Sequence, residues 1–380
     1  MKRLLLFCLT LLLSLPLEAK RPSHPHMYAH RGCWIKDSNG EWVVPENSVA
    51  AVAAAAKYGY EGVECDVHYT KDKRMVILHD ATLNRTARRA SDYSKLETPI
   101  YLKDLTFEEL RRDYVLESTN PELRTPIPTL EELLSECKIQ NIKPMLHSDI
   151  WESYKVAQDM FGNDWICFTG GVERMQKVRA FSDCTILLAI NDGTAEQNIA
   201  RLSQIGGHCG ISTMNYSLYT PEFCKAITDA GYEVQASIFP APHEAIAQRN
   251  GITYQLTDFS FMPPEGKKPK YVYKVRMTPV GVFLANLRPQ NKQFRRKTKE
   301  LIDFGVVVEI TSRNNVVGNI DARINSNEYK FRTNSKEKIY LGARMATSND
   351  MKLSVKSNSR NYNNKRKSNI KQVRYMAYDM

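Results

Sequence analysis

Residues 165–190, WICFTGGVERMQKVRAFSDCTILLAI, hold two β-rich runs, Trp165 to Thr169 and Thr185 to Ile190, on either side of a helix-length segment. A strand, a helical stretch and a second strand of this size form a βα unit feeding a parallel sheet. The same alternation continues outward in both directions. Upstream lie Met27 to His30, Gly62 to Val67 with an extra strand at Met75 to His79, and Pro144 to His147; downstream lie Gly210 to Met214, Glu233 to Ile238 and Ile252 to Thr257. Helical stretches separate them, among them Glu46 to Tyr58 with its alanine-rich face, Thr129 to Cys137 behind a Thr-x-x-Glu capping pattern, and Pro221 to Ala230. Eight such runs, with a helix after nearly every one, predict a (β/α)8 or TIM barrel within the α/β class, whose sites gather where the strands end. A doubly wound sheet is the competing arrangement, but neither GxGxxG nor GxxxxGK[ST] follows the first run.

Beyond this region the pattern changes. Pro263-Pro264-Glu265-Gly266-Lys267-Lys268-Pro269 reads as a linker. After it, Tyr271 to Met277, Phe304 to Thr311, Glu328 to Arg332, Lys338 to Ala343 and Lys352 to Val355 alternate with period two between Asn, Ser and Gly turns. A small all-β, sandwich-like domain is expected there, with Ser357 to Asn369 as a polar loop. The expected organisation is a leader at 1–19, a barrel at 24–262, a linker at 263–270 and a basic β domain at 271–380. Charge divides at the same place. Residues 1–270 carry 30 Lys+Arg against 34 Asp+Glu, and residues 271–380 carry 23 against 8, so the net +11 belongs to the C-terminal third. All eight Cys and all eight His precede residue 270.

Met1-Lys2-Arg3, the apolar run Leu4 to Leu13, Pro16 and Ala19 have the parts of a secretory signal, with cleavage expected after Ala19. The apolar run is shorter than the roughly 20 residues that span a bilayer, and no later stretch approaches that length. Export to the periplasm or outside the cell is therefore expected, with no transmembrane helix in the mature chain. Seven Cys would remain, an odd number without the spacing of a disulfide scaffold or a zinc site, and are expected to be mostly buried small hydrophobes. Ala81 to Thr125 is a polar, basic excursion longer than an ordinary loop, placed where it could shape access to a barrel mouth.

The chemistry-bearing residues lie at the predicted strand ends: Ala29-His30-Arg31-Gly32, Pro45-Glu46-Asn47-Ser48, Glu64-Cys65-Asp66-Val67 and His79-Asp80. Glu64 and Asp66 are i and i+2 on a strand, so both carboxylates project to one side, where two like charges call for a compensating partner. A hard divalent cation, Mg²⁺ or Ca²⁺, suits such oxygens. Glu46 is a candidate further ligand, or else a charge at a helix N-terminus. His30 and His79 can exchange protons near neutral pH, and Arg31 can grip a phosphate.

In this order, followed by Leu83-Asn84-Arg85-Thr86, by Ile127-Pro128-Thr129-Leu130-Glu131-Glu132-Leu133-Leu134 and, at the last strand, by Thr257-Asp258, these motifs resemble the glycerophosphodiester phosphodiesterase family over residues 26–260. The resemblance implies a barrel that hydrolyses glycerophosphodiesters to glycerol 3-phosphate and an alcohol with a divalent metal. His30 and His79 would be the acid/base pair, Arg31 the phosphate clamp, and Glu64 and Asp66 metal ligands. The family's usual Glu-x-Lys at the third strand is His147-Ser148-Asp149 here. Imidazole at His147 suits Mn²⁺ or Zn²⁺ better than Ca²⁺, and Asp149 could replace the missing carboxylate. The strand-7 stretch Gln235-Ala236-Ser237-Ile238 also departs from the family and alters the pocket wall. Two alternatives are a lysophospholipid-type phosphodiesterase and a catalytically impaired barrel used for binding. The basic β domain could meet an anionic envelope surface; nucleic acid is not expected as a partner.

Overall fold

A computed structural model describes residues 25–36, 41–239, 241–258, 261, 263, 266–276, 288–313, 318–324, 327–333, 338–347, 351, 353–359 and 368–379. The expected leader at 1–19 lies outside the described residues, as do residues 360–367 of the expected polar loop; Ser357 to Ser359 end a strand instead.

Eight parallel strands close into a barrel: β1 (His26–Ala29), β2 (Gly62–Tyr69), β3 (Lys143–His147), β4 (Ile166–Thr169), β5 (Thr185–Ala189), β6 (Cys209–Thr213), β7 (Glu233–Ser237) and β8 (Tyr254–Thr257). Each pairs with the next, and β1 pairs with both β8 and β2, which seals the ring. Around it run α1 (Val49–Lys57), α2 (Leu130–Gln140), α3 (Trp151–Phe161), α4 (Val172–Arg179), α5 (Ala195–Ile205), α6 (Pro221–Asp229) and α7 (Ala241–Arg249). Side chains alternate as a pleated strand requires. On β2, Val63, Cys65 and Val67 join Val52 and Ala55 of α1 and Leu133 of α2 in the helix-side core. Tyr28, Met145, Ile166, Leu187, Tyr254 and Leu256 form a separate interior cluster that plugs the barrel. The ends of β1, β2 and β3 rise above that plug and carry the polar residues of the mouth.

The Ala81 to Thr125 excursion is a folded insert rather than a loop. Ala87–Arg89 pairs antiparallel with Tyr114–Leu116, and a short helix, Phe107–Asp113, starts at a Thr106/Glu109 capping box. Leu83, Leu96, Leu102, Leu110 and Leu116 converge in a small core. The polar composition conceals this, because the leucines are scattered with neither helical nor strand period.

After the barrel, β9 (Tyr271–Arg276), α8 (Arg288–Lys297), β10 (Ile302–Ser312), β11 (Gly318–Ile324), β12 (Asn327–Thr333), β13 (Lys338–Thr347), β14 (Leu353–Ser359) and β15 (Ile370–Asp379) follow. They make two antiparallel sheets, ordered β9-β15-β10-β13 and β12-β11-β14, which share one apolar core. Strands β11 and β15 and helix α8 carry no signal strong enough to stand out in the sequence reading. The sheet pair is not detached from the barrel, since Val307, Met376 and Tyr378 pack with Phe261 into the barrel's helix-side core. Among the described residues, no helix is long and apolar enough to cross a membrane.

Candidate active site and metal centre

At the mouth, Glu64 and Asp66 on β2 face His147 at the end of β3, directly across the strand pair: Asp66 and His147 are register partners. One ligand atom from each of these three residues lies within 4.8 Å of the other two. His147 Nδ1 is 3.3 Å from Asp66 Oδ1 and 3.9 Å from Glu64 Oε1. Burial, reinforced by the neighbouring Asp66 carboxylate, pushes Glu64 well above the usual carboxylate range. Asp66 resists the same burial because His147 and the Asn47 amide bond to it, and it sits below its ordinary value. A pair of buried carboxylates, one of them pushed up by its burial, with a half-exposed imidazole beside them, fits a divalent cation.

The remaining expected ligands do not join this group. The Asp149 side chain is 82% exposed and pairs with Arg174, because the chain turns after His147 and carries it out of the barrel toward α4. Glu46 is buried, yet arginines take both of its oxygens: Arg85 Nη2 donates to Oε1 at 2.6 Å, Arg85 Nη1 to Oε2 at 2.9 Å, and Arg31 Nη1 to Oε1 at 3.2 Å. Its neighbour Asn47 reaches the site instead, donating from Nδ2 to Asp66 Oδ2 at 3.0 Å.

Each candidate acid/base histidine is held through Nδ1 by an aspartate. His30 donates to Asp258 Oδ1 at 2.9 Å, and the same oxygen accepts from Trp34 Nε1 at 3.1 Å. His79 donates to Asp80 Oδ1 at 2.6 Å. Arg85 clamps Asp80 from the other side at 2.7 and 3.0 Å and holds its carboxyl down at about 2. Pinning Nδ1 fixes the tautomer and ring plane and leaves Nε2 as the working nitrogen. Arg31 adopts a left-handed φ of 55° and Asn47 one of 51°, unusual for residues other than glycine and of a kind that clusters at functional sites. In that conformation the Arg31 backbone N–H donates to Glu64 Oε2 at 3.0 Å, while its buried Nε lies 3.7 Å from Asp66 Oδ2 without a hydrogen-bond partner among the described residues.

Residues 30–160, which carry all of these groups except Arg174 and Asp258, match the glycerophosphoryl diester phosphodiesterase family. This segment of the chain is a domain of that family. Glycerophosphodiester phosphodiesterase 1 of Rattus norvegicus is 32% identical over 153 residues, 37% of this chain and 41% of the relative. The Homo sapiens protein of the same name is 37% identical over 119 residues, 30% of each chain, and a Bacillus altitudinis glycerophosphodiester phosphodiesterase is 37% identical over 109 residues, 28% of this chain and 38% of that one. The chain thus spans 41% or less of the length of these curated relatives. Among solved structures, the Thermotoga maritima glycerophosphodiester phosphodiesterase covers 62% of this chain and 95% of its own, at 20% identity and a TM-score of 0.46. An Oleispira antarctica phosphodiesterase, solved with sn-glycerol-3-phosphate, covers 62% and 93%, at 21% identity and a TM-score of 0.47.

Within this phosphodiesterase-family domain, sequence reading missed Asn47, Asp80, Arg85 and Trp34 as working parts of the site. Asp258 lies outside the matched segment and was noted only as part of a motif. The available signal was adjacency: Asn47 follows Glu46, Asp80 follows His79, and Trp34 lies four residues after His30.

Proposed function

We propose that the chain is an exported, metal-dependent phosphodiesterase that hydrolyses glycerophosphodiesters to glycerol 3-phosphate and an alcohol. The observation that carries this reading is the pairing of two Asp-held imidazoles with the Glu64, Asp66 and His147 donor set at one barrel mouth. Those three residues would hold a divalent cation, which when bound draws charge from a phosphate oxygen and makes phosphorus more electrophilic. The carboxylates suit Mg²⁺ or Ca²⁺, and the imidazole shifts the preference toward Mn²⁺ or Zn²⁺. Arg31 Nε, buried without a hydrogen-bond partner among the described residues, would gain one from an anionic oxygen brought beside it. One histidine Nε2 takes the proton from the attacking hydroxyl or water, and the other delivers a proton to the departing alkoxide. Asp258 and Asp80 stabilise whichever imidazolium forms. The charged start, apolar run and Ala19 support export, and the N-terminal mass of the purified mature protein tests it.

The deciding assay measures glycerol 3-phosphate released from glycerophosphocholine, glycerophosphoethanolamine and glycerophosphoglycerol, and free headgroup alcohol released from lysophospholipid micelles, with Mg²⁺, Ca²⁺, Mn²⁺ or Zn²⁺ restored after chelation. Turnover that needs an added metal is expected, and His30→Ala and His79→Ala each lower it by at least about 10²-fold without loss of folding. Metal binding with no turnover on any of these substrates would replace the enzyme reading with a binding role.

A further inference from the structure

The aspartate that holds His30 is itself held by the C-terminal sheets. Arg344, on β13, reaches to the barrel mouth, where Nη1 donates to the Trp34 carbonyl at 2.8 Å and contacts Cys33 Sγ at 2.7 Å. Its Nη2 donates to the backbone carbonyl of Asp258. A single guanidinium therefore ties together the two segments whose side chains meet at Asp258 Oδ1: the turn after β1, which supplies Trp34, and the chain leaving β8. Its carbon also lies 5.8 Å from the Trp34 ring and 6.0 Å from the Tyr60 ring, so aromatic faces bound it on the barrel side.

A second contact, of different chemistry, fastens the same segment. Phe261, three residues beyond Asp258, lies in a recess made by two glycines of the C-terminal sheet. A Cβ at Gly305 would come within 2.1 Å of the Phe261 ring, and one at Gly342 within 1.8 Å of its carbonyl oxygen. Gly305 is the register partner of Arg344, and Gly342 that of Val307, so recess and arginine occupy one small area of the β10–β13 pair. Tyr58 of the barrel and Tyr378 of the sheet enclose the ring at 6.0 and 5.9 Å.

We propose that the antiparallel domain is part of the catalytic apparatus, with Arg344 as a positioning residue that fixes the Asp258–His30 pair. The argument is geometric. A histidine that moves a proton must keep its ring within a few tenths of an ångström of the productive position, and errors near 1 Å cost about 10²-fold in rate. Asp258 stands just past the end of β8, where ladder hydrogen bonds no longer define the backbone, and the Arg344 guanidinium supplies the missing constraint through a charge-assisted bond. Removing it leaves the barrel and its metal ligands intact and loosens one imidazole.

The kinetic arm of the test rests on the phosphodiesterase reading; a second arm does not. In the full chain, Arg344→Met is expected to lower kcat by about 10- to 100-fold with KM changed less than about twofold, while Arg344→Lys restores part of the loss. Gly305→Ala, whose Cβ would press on the apolar Phe261 ring, is expected to lower kcat in the same way and stands in should Arg344→Met fail to fold. Independently of turnover, nitrogen-15 histidine NMR reads the hydrogen-bonded Nδ1 proton of His30. That signal is expected to weaken or shift in each variant, with the His79 signal unchanged. Unaltered kcat together with an unaltered His30 signal overturns the proposal. So does lost activity with an unaltered His30 signal, since Arg344 would then act elsewhere. Should the wild-type chain turn over no glycerophosphodiester, the phosphodiesterase reading fails and the NMR arm alone decides the positioning role.

Discussion

His147 and Asp149 stand two residues apart, and the structure gives them opposite fates. His147 ends β3 with its ring against Phe168, 5.0 Å away, and its Nδ1 toward both carboxylates. Asp149 is past the strand, where alternation no longer dictates which way a side chain points. The ligand roles are therefore separable by substitution. His147→Ala is expected to weaken divalent-ion binding by at least about 10-fold and Asp149→Asn to leave it within about twofold, as measured by calorimetric titration of the metal-free protein. Equal losses in the two variants would return Asp149 to the site. Glu46 teaches a related lesson: its placement at the mouth was readable from the sequence, but its ligand role was not. Two arginines from separate segments, Arg31 and Arg85, reach it first, and only the folded chain brings them together.

Elements were the most legible scale. The Thr-x-x-Glu pattern before α2 is a true capping box, with Thr129 Oγ1 accepting from the Glu132 N–H at 3.1 Å and Glu132 Oε2 accepting from the Thr129 N–H at 2.9 Å. Thr129→Ala is expected to cost about 1 kcal/mol, read as a lower midpoint in urea with an unchanged slope. Strands with parallel neighbours on both sides are buried on both faces, and all eight were recoverable as short β-rich runs spaced by helix-length segments. Legibility failed where local pattern is weak. The Ala81 to Thr125 insert has a core of dispersed leucines, and β15 mixes charges with apolar residues, with Lys371 and Asp379 near its two ends exposed.

At the scale of the whole molecule, the end of the barrel opposite the mouth carries its own charges. His26 pairs with Glu61 at 2.6 Å and His208 with Glu233 at 3.0 Å, with Lys143, Thr185 and the Tyr254 ring also facing this group. The hydrogen bond to Glu61 raises His26 above 6.5 against the opposing effect of burial. Burial would raise Glu233, but bonds to His208 and Thr253 hold it below 4.5. The raised His26 contributes stability that is complete below about 6.5 and fades as pH rises through its folded value. The lowered Glu233 contributes stability that is complete above about 4.5 and fades as pH falls through its folded value. Melting temperature is expected to be highest between these limits. His26→Gln should flatten only the alkaline limb, by at most about 2 °C, because the pair is partly exposed and screened. Thiol chemistry is also a property of the whole fold: Cys33, Cys65, Cys137, Cys167, Cys184, Cys209 and Cys224 are all buried, and none forms a disulfide among the described residues. Ellman's reagent is expected to label none of these seven at a useful rate in the native protein and all seven after denaturation.

By itself, the sequence determined the barrel, the β-strand content of the C-terminal third though not its helix α8, the strand that bears Glu64 and Asp66, and both candidate histidines. Each of these rests on short-range information: period two in strands, capping residues at helix starts, and carboxylates placed i and i+2 on one face. Tertiary structure alone decided which polar groups meet. It seated Arg85 between Glu46 and Asp80, turned Asp149 outward to Arg174, and brought Arg344 across 86 positions to the carbonyl of Asp258. Hydrophobic periodicity is written along the chain, whereas a hydrogen bond between distant residues depends on the closure of the barrel and the docking of the sheets, which no local pattern encodes.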